Sequence, residues 1–141
     1  MKRTVWLTVH GEQQYEGMAP DSVEQRLRGT VEETADGVRI RYEEPGPDGA
    51  AATLTRLDAS ADGVVLTRTG EVMSKMLFRP GEKHTSYYAT PYGTLPVAVE
   101  TESARWKFDG GEGMLALRYR IDFGGQRGTC VLRIRARAAE A

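Results

Sequence analysis

An alternation of apolar and polar residues, interrupted by glycine turns, restricts the fold of this chain more than any other feature. Successive side chains of a β-strand point to opposite faces, so a period of two places one face in a core and the other in water. The interruptions are turn dipeptides such as Asp36-Gly37, Asp62-Gly63 and Gly124-Gly125, in which glycine tolerates positive φ. They recur about every 8 to 15 residues, which suits hairpins and leaves little room for helices. The clearest alternating segments are residues 5–9, 38–42, 115–123 and 130–136.

So many one-sided strands must bury one face together, and two packed sheets or a closed barrel would both achieve this. Several strands look long, and long strands that bend favour closure over a flat sandwich. We therefore predict an all-β fold, a single closed antiparallel β-barrel of about 8–10 strands that forms one domain over residues 1–141. The expected strands are residues 3–15, 22–34, 37–44, 51–59, 63–69, 71–79, 83–90, 94–108, 113–124 and 128–137.

Two segments are less regular. Pro20-Asp21-Ser22 followed by Val23 and Leu27 is also compatible with a short helix, although the alternation over residues 23–31 favours a strand. Gly29 inside a strand pattern and the phase slip over residues 103–106 predict bulges or barrel corners.

The composition is that of a folded protein, with 40% hydrophobic and 28% charged residues and a formal net charge of −1. Cys130 is the only cysteine, which excludes an intramolecular disulfide and a zinc site built from cysteines. No segment resembles a signal peptide or approaches the roughly 20 apolar residues of a membrane-spanning helix. We therefore expect a cytoplasmic protein with no membrane partner.

No residue pattern points to catalysis. His10 and His84 are the only histidines and have no neighbouring cysteine or acid–base pattern, so we expect no metal site and no cofactor. A nucleophile elbow is absent, and the glycine-rich segments 109–113 and 124–128 fit hairpin turns rather than phosphate loops. We assign no catalytic residue, and an enzyme is the least favoured function.

The barrel interior is the favoured site. A barrel of this size holds packed side chains or one small ligand, and ligand pockets are mostly apolar with a few polar groups. The faces predicted to point inward carry such a mixture, so we predict a small, partly apolar ligand there. A filled interior with a purely structural role is the alternative. The candidate ligand-binding residues are Ser74, Met76, Phe78, His84, Ser86, Tyr88, Tyr119 and Phe123.

A second candidate site is the outer face of the last hairpin. Arg118, Arg120, Arg133 and Arg135 fall on that face and could meet an anionic partner such as RNA or an acidic protein. No aromatic residue of the hairpin alternates with them there, and single-strand binders use stacking aromatics. Pairing with glutamates of a neighbouring strand is the favoured explanation, so nucleic acid is the less favoured partner. A monomer and a homodimer are both compatible with the sequence.

Two motifs carry a family resemblance. The F-x-P-G turn at residues 78–81 and the Y-x-T-P-Y-G-x-L motif at residues 88–95 resemble those of the YwiB-like proteins, a bacterial family of unknown function. The resemblance implies a calycin-like barrel, in the structural group of lipocalins and fatty-acid-binding proteins, and it implies no activity. It marks Thr90, Pro91, Tyr92 and Gly93 as a barrel-end motif, in which Pro91 presets a turn, Gly93 allows positive φ and Tyr92 can lie across the barrel end.

Overall fold

A computed structural model describes residues 2–46, 52–70 and 72–139. The described residues form ten β-strands. Their bounds are β1 Lys2–Tyr15, β2 Asp21–Glu33, β3 Gly37–Glu44, β4 Thr53–Ser60, β5 Gly63–Thr69, β6 Met73–Phe78, β7 Lys83–Thr90, β8 Gly93–Asp109, β9 Glu112–Phe123 and β10 Gln126–Ala138.

The strands close into one antiparallel barrel in which each strand pairs with its sequence neighbours, and β1 pairs with β10 to complete the ring. The all-β fold and the closed barrel are thereby confirmed. Because the strands run alternately up and down, the connections that follow odd-numbered strands lie at one end, here called the upper end. The other connections and both chain ends lie at the lower end. The helix considered for residues 20–27 is wrong, because these residues belong to β2 and pair with β1.

Inward-facing apolar side chains fill the lower and middle parts of the barrel. The alternation seen in the sequence continues around the ring, so each strand contributes every second residue to one core. The largest side chains with almost no exposure are Phe78, Leu7, Ile40, Leu57, Leu115, Leu117 and Ile134.

Gly29 lies where the backbone of β3 closely approaches β2. It pairs in register with Val5 and Tyr42, so it forms no bulge. A Cβ at this position would lie 2.3 Å from the carbonyl oxygen of Arg41 and 2.6 Å from a methyl carbon of Leu7. Glycine is therefore needed here because a neighbouring backbone approaches closely.

The second predicted irregularity is a bulge. The pairing of β8 with β9 shifts register between Thr101 and Ser103, so that Thr101 faces Tyr119 and Ser103 faces Arg118. This shift keeps the inward face apolar on both sides of the bulge, with Val99 before it and Trp106 after it.

The predicted turn over residues 45–49 lies partly outside the described residues, as do the predicted strand starts at residues 51 and 71. In the part of the chain that the structure covers, no helix has the length and apolarity needed to cross a membrane.

Candidate functional site

A row of polar side chains crosses the inside of the barrel just below its upper end. Tyr42 on β3 pairs with Thr55 on β4, Thr55 pairs with Arg68 on β5, Arg68 pairs with Ser74 on β6, and Ser74 pairs with Tyr88 on β7. Directly opposed residues on one face have Cβ atoms roughly 4.5–5.5 Å apart, so these five side chains are successive neighbours. We call this row the polar belt.

The polar belt is well shielded from solvent. Tyr42 is 3% exposed, Thr55 is 0% exposed and Ser74 is 7% exposed, whereas Arg68 and Tyr88 are half-buried. Arg68 continues the inward alternation of Val64 and Leu66 along β5, so its side chain also points into the barrel. A cationic side chain on the inner face of a barrel is unusual, because buried charges are generally paired.

Several belt atoms have no internal partner. The Oγ1 of Thr55 donates a hydrogen bond of 3.0 Å to Oε1 of Glu44, the next inward residue on β3. In contrast, Nε of Arg68, the hydroxyl of Tyr42 and Oγ of Ser74 are buried without a hydrogen-bond partner among the described residues. No described carboxylate forms an ion pair with Arg68.

Burial and neighbouring charges shift the pKa values of two belt residues, Tyr42 and Arg68. Burial raises the pKa of Tyr42 to about 12, with a further rise from Glu44 and an opposing effect from Arg68. Burial opposes the charge of Arg68, but Tyr88, Tyr42 and Glu44 outweigh it, so the pKa of Arg68 is raised. The site therefore combines a fixed positive charge with neutral hydroxyl groups at physiological pH.

Aromatic side chains form a second wall, which begins at Tyr88, the last residue of the belt, and continues to Phe123 and Tyr119 on β9. The rings of Tyr88 and Phe123 meet edge to face with centroids 5.3 Å apart, and those of Phe78 and Tyr119 are tilted with centroids 4.6 Å apart. Burial also raises the pKa values of Tyr119 and of the neighbouring Cys130 thiol. The upper part of the interior is thus polar on one wall and aromatic on the other.

The candidate residues from the sequence divide into three groups in the structure. Ser74, Ser86, Tyr88, Tyr119 and Phe123 lie on inward faces in the upper and middle barrel. Met76 and Phe78, which are 5% and 0% exposed, are packed in the core below the belt.

His84 stands apart from both groups. It lies near the lower end of β7, and its Nε2 is 2.9 Å from Oε1 of the exposed Glu82. The structure therefore does not bring His84 to the polar belt.

Sequence reasoning missed three belt residues, namely Tyr42, Thr55 and Arg68. Each lies on the inward phase of a correctly predicted strand, so alternation alone could have placed Arg68 inside. The alignment of these three residues in one row depends on the registers of two hairpins, β3–β4 and β4–β5, and no single-strand pattern shows this.

The barrel-end motif forms a hydrogen-bonded turn. Oγ1 of Thr90 donates to the carbonyl oxygen of Gly93 at 2.9 Å and accepts from the backbone N–H of Tyr92 at 3.2 Å. Gly93 has φ of 133°, which favours glycine. The expectation that Tyr92 lies across the barrel end is wrong, because its side chain is 100% exposed, while Pro91 sits in the same exposed turn.

The four arginines predicted on the last hairpin do not form an unbroken positive face. Arg120 lies 3.7 Å from Glu102, and Arg133 lies 3.7 Å from Glu12. Arg118 and Arg135 have no ion pair among the described residues. Pairing with glutamates of neighbouring strands therefore accounts for two of the four.

Two surface grooves of about 760 and 740 Å³ lie on the outside of the barrel. The first lies beside the β1–β2 loop and the last hairpin, and it mixes both charge signs, as in Lys83, Glu100, Arg120 and Asp122. The second runs along β1, β2 and β10 and is mainly basic.

Comparison with solved structures gives a match to the YwiB protein from Bacillus subtilis, with a TM-score of 0.82 and 19% sequence identity. The match covers 97% of this chain and 94% of that chain, and at this identity it shows a shared fold. No curated protein matches the sequence. The model of the family described as "Domain of unknown function (DUF1934)" matches residues 7–134. This chain therefore belongs to the DUF1934 family, and its barrel is similar to that of the YwiB protein.

Proposed function

We propose that this protein binds a small, partly apolar molecule with an anionic group in the upper part of its barrel. The observation that carries the proposal is Arg68, a cation on the inner face whose Nε is buried without a hydrogen-bond partner among the described residues. A half-buried cation loses part of its hydration, and folded proteins generally offset that loss with an acidic side chain or a bound ligand.

The chemistry of the belt suits a carboxylate. The planar guanidinium of arginine matches a carboxylate with two parallel hydrogen bonds, and neighbouring hydroxyls can donate to the same oxygens. Ser74 lies directly opposite Arg68, and Tyr42 lies on the same row beyond Thr55. The hydroxyls of Ser74 and Tyr42 have no hydrogen-bond partner among the described residues, so both are free to donate to a ligand. Glu44 is held by Thr55 instead of pairing with Arg68.

The aromatic wall suits an apolar body. Tyr88, Phe123 and Tyr119 would contact the ligand beyond its anionic group, as aromatic side chains do in most small-molecule sites. Phe78 and Met76 close the interior beneath, so the ligand would occupy only the upper part of the barrel. A ligand there would enter from the upper end, where Arg68 and Tyr88 keep partial exposure.

Binding without catalysis is the function that this chemistry favours. Tyr42 and Tyr119 retain their protons near neutral pH because burial raises their pKa values, so neither is a general base. The lone buried Cys130 thiol agrees with a cytoplasmic location, which we also propose.

The test is binding of two probes, the fluorescent dye anilinonaphthalene sulfonate and decanoate as its competitor. Both carry an anionic group on an apolar body. We expect the dye to bind and decanoate to displace it, whereas neutral decanol should compete at least about tenfold less well because it cannot pair with Arg68. Native mass spectrometry of the freshly purified protein would reveal a ligand that already occupies the site.

Two variants make the test specific. Arg68→Met should weaken decanoate binding by about 10- to 100-fold, the loss expected for a charge-assisted pair. Arg118→Met, which removes an exposed arginine from the outer face of β9, should leave it unchanged. Equal binding by both variants, or no binding of either probe to the unmodified protein, would reject the proposal in favour of a filled, structural interior.

A further inference from the structure

An aromatic residue lies among arginines on the outside of the barrel, on the three strands that surround the closure. Trp6 on β1 pairs with Arg28 on β2 and with Arg137 on β10. One step along β1, Thr8 pairs with Arg26 and with Arg135. We call this surface, formed by Trp6, Arg26, Arg28, Arg135 and Arg137, the arginine–tryptophan face.

Contacts with the indole ring hold two of these arginines in place. The guanidinium carbon of Arg26 lies 4.7 Å from the ring centroid of Trp6, and that of Arg28 lies 5.1 Å from it. Such cation–π contacts are attractive and keep both guanidinium groups over the sheet surface. Four residues of the face, all except Arg28, line the groove of about 740 Å³, which also includes the exposed Met114.

The arginines of this face have no acidic partners in the part of the chain that the structure describes. Arg26, Arg28, Arg135 and Arg137 are all exposed, and none of them takes part in a described ion pair. Two acidic residues lie nearby. Glu12 pairs with His10 and Arg133 at the edge of the face, and Glu24, which lines the groove two residues before Arg26, lies 3.5 Å from His10. This face therefore has an excess of positive charge, although the chain as a whole has a formal charge of −1.

The positive charge also continues beyond β10. On the next two strands, Met114 of β9 follows Arg135 in register, and Lys107 of β8 follows Met114. Lys107 is exposed and has no described ion pair. A row across five strands therefore reads Arg26, Thr8, Arg135, Met114 and Lys107, with cations separated by small or apolar residues.

We propose that the arginine–tryptophan face binds single-stranded nucleic acid. Arginine matches phosphate oxygens with paired hydrogen bonds, and arginines two residues apart on one strand lie about 6.8 Å apart, a spacing that can follow an extended phosphate backbone. The guanidinium planes of Arg26 and Arg28, held over the half-buried Trp6 ring, are surfaces on which bases can stack, and the exposed Met114 adds an apolar contact. An acidic protein would use the charges but not the stacking surfaces, and a duplex would present phosphates without exposed bases.

The test is fluorescence anisotropy with a labelled 12-nucleotide oligo-uridine and, for comparison, its duplex with oligo-adenosine and a poly-glutamate of similar charge. We expect the single strand to bind best. If three or four phosphates are neutralised, the logarithm of the affinity should fall with the logarithm of salt concentration with a slope of about −2 to −3. Binding that does not weaken with salt, or tighter binding of poly-glutamate or of the duplex, would overturn the proposal.

Two matched double variants distinguish binding at this face from a general effect of the protein's positive charge. Arg26→Gln combined with Arg135→Gln should reduce affinity for the single strand by roughly 20-fold near 0.1 M salt, because two phosphate contacts are lost. The control combines Arg120→Gln with Arg127→Gln, which removes the same charge from exposed arginines paired with Glu102 and Asp122. It should change the affinity less than about threefold, and an equal loss in both double variants would contradict the assignment to this face.

A third variant tests the stacking surface. Trp6→Ser keeps every charge but removes the ring that supports Arg26 and Arg28. We expect weaker binding of the single strand with an unchanged salt slope, since stacking contributes without releasing counterions. Unchanged affinity in this variant, with circular dichroism showing a folded barrel, would overturn the role of Trp6.

Discussion

Arg68 on β5 stands directly opposite Ser74 on β6, and both side chains point into the barrel just below its upper end. This pair lies at the centre of the polar belt, with Thr55 on one side and Tyr88 on the other. A barrel that needed only to be stable would place apolar residues there, as it does one row below with Leu66 and Met76. The change from an apolar row to a polar row is the physical basis of the proposed ligand site.

Stability measurements can separate a functional Arg68 from a structural one. We expect Arg68→Met to raise the free energy of unfolding of the ligand-free protein by about 1 kcal/mol, because an apolar side chain replaces a half-buried cation that has no ion pair among the described residues. Urea denaturation measures this change, with Arg118→Met as the control for losing one positive charge. A loss of stability in Arg68→Met would mean that the guanidinium supports the fold.

The buried tyrosine at the belt should make the barrel sensitive to alkali. The pKa of Tyr42 is about 12 in the folded protein against 10.0 in its unperturbed state, so the folded protein binds this proton more tightly. Its contribution to stability is therefore complete below about pH 10 and is lost as the pH rises toward about 12. The two-unit rise corresponds to roughly 2–3 kcal/mol.

The matched variant for this effect is Tyr42→Phe. Denaturation in urea at a series of alkaline pH values should show a shallower decline for Tyr42→Phe than for the unmodified protein. Part of the decline should remain, since the pKa of Tyr119 is also raised by burial. Identical pH profiles for the two proteins would contradict the assignment to Tyr42.

The close approach at Gly29 can be tested with alanine. In Gly29→Ala the new Cβ would meet the backbone oxygen of Arg41 at 2.3 Å, and backbone cannot move aside easily. We expect a loss of about 1–3 kcal/mol or more in the free energy of unfolding. Gly11→Ala on β1 is the control, because a Cβ added there would meet no neighbouring atom within 4 Å. Thermal denaturation of both variants should give a lower midpoint for Gly29→Ala only.

The thiol of Cys130 should report on the integrity of the barrel interior. Burial raises its pKa, and the residue is 5% exposed, so both thiolate formation and reagent access are limited. We expect Ellman's reagent to label the folded protein at least about 100-fold more slowly than the protein unfolded in urea, since labelling requires local opening. Rapid labelling of the folded protein would show that the upper interior is more open than the structure indicates.

Much of the fold could be predicted from local patterns of apolar and polar residues in the sequence. The alternation over residues 115–123 placed Leu115, Leu117 and Ile121 inside, and the structure confirms this because side-chain direction in a strand depends only on local geometry. The bulge near Ser103 was equally visible, since a phase slip in the pattern is itself a local signal. The segment after Pro20 was harder, because apolar spacing there fits a helix as well as a strand.

The candidate sites depended on neighbours that are distant in sequence. Arg68 is inward by its own strand pattern, but only the registers of four hairpins align it in one row with Tyr42 and Tyr88. Likewise, the sequence showed arginines on β10 and no aromatic residue among them. Barrel closure then placed Trp6 of β1 beside Arg137, near the opposite end of the chain.

The sequence by itself determined which residues form strands, which faces point inward and where the turns lie, because these properties follow from the local backbone and from burial of alternate side chains. The tertiary structure alone decided which strands meet and in which register. Register is set by the combined packing of all ten strands, and it determines both the polar belt inside the barrel and the arginine–tryptophan face outside it.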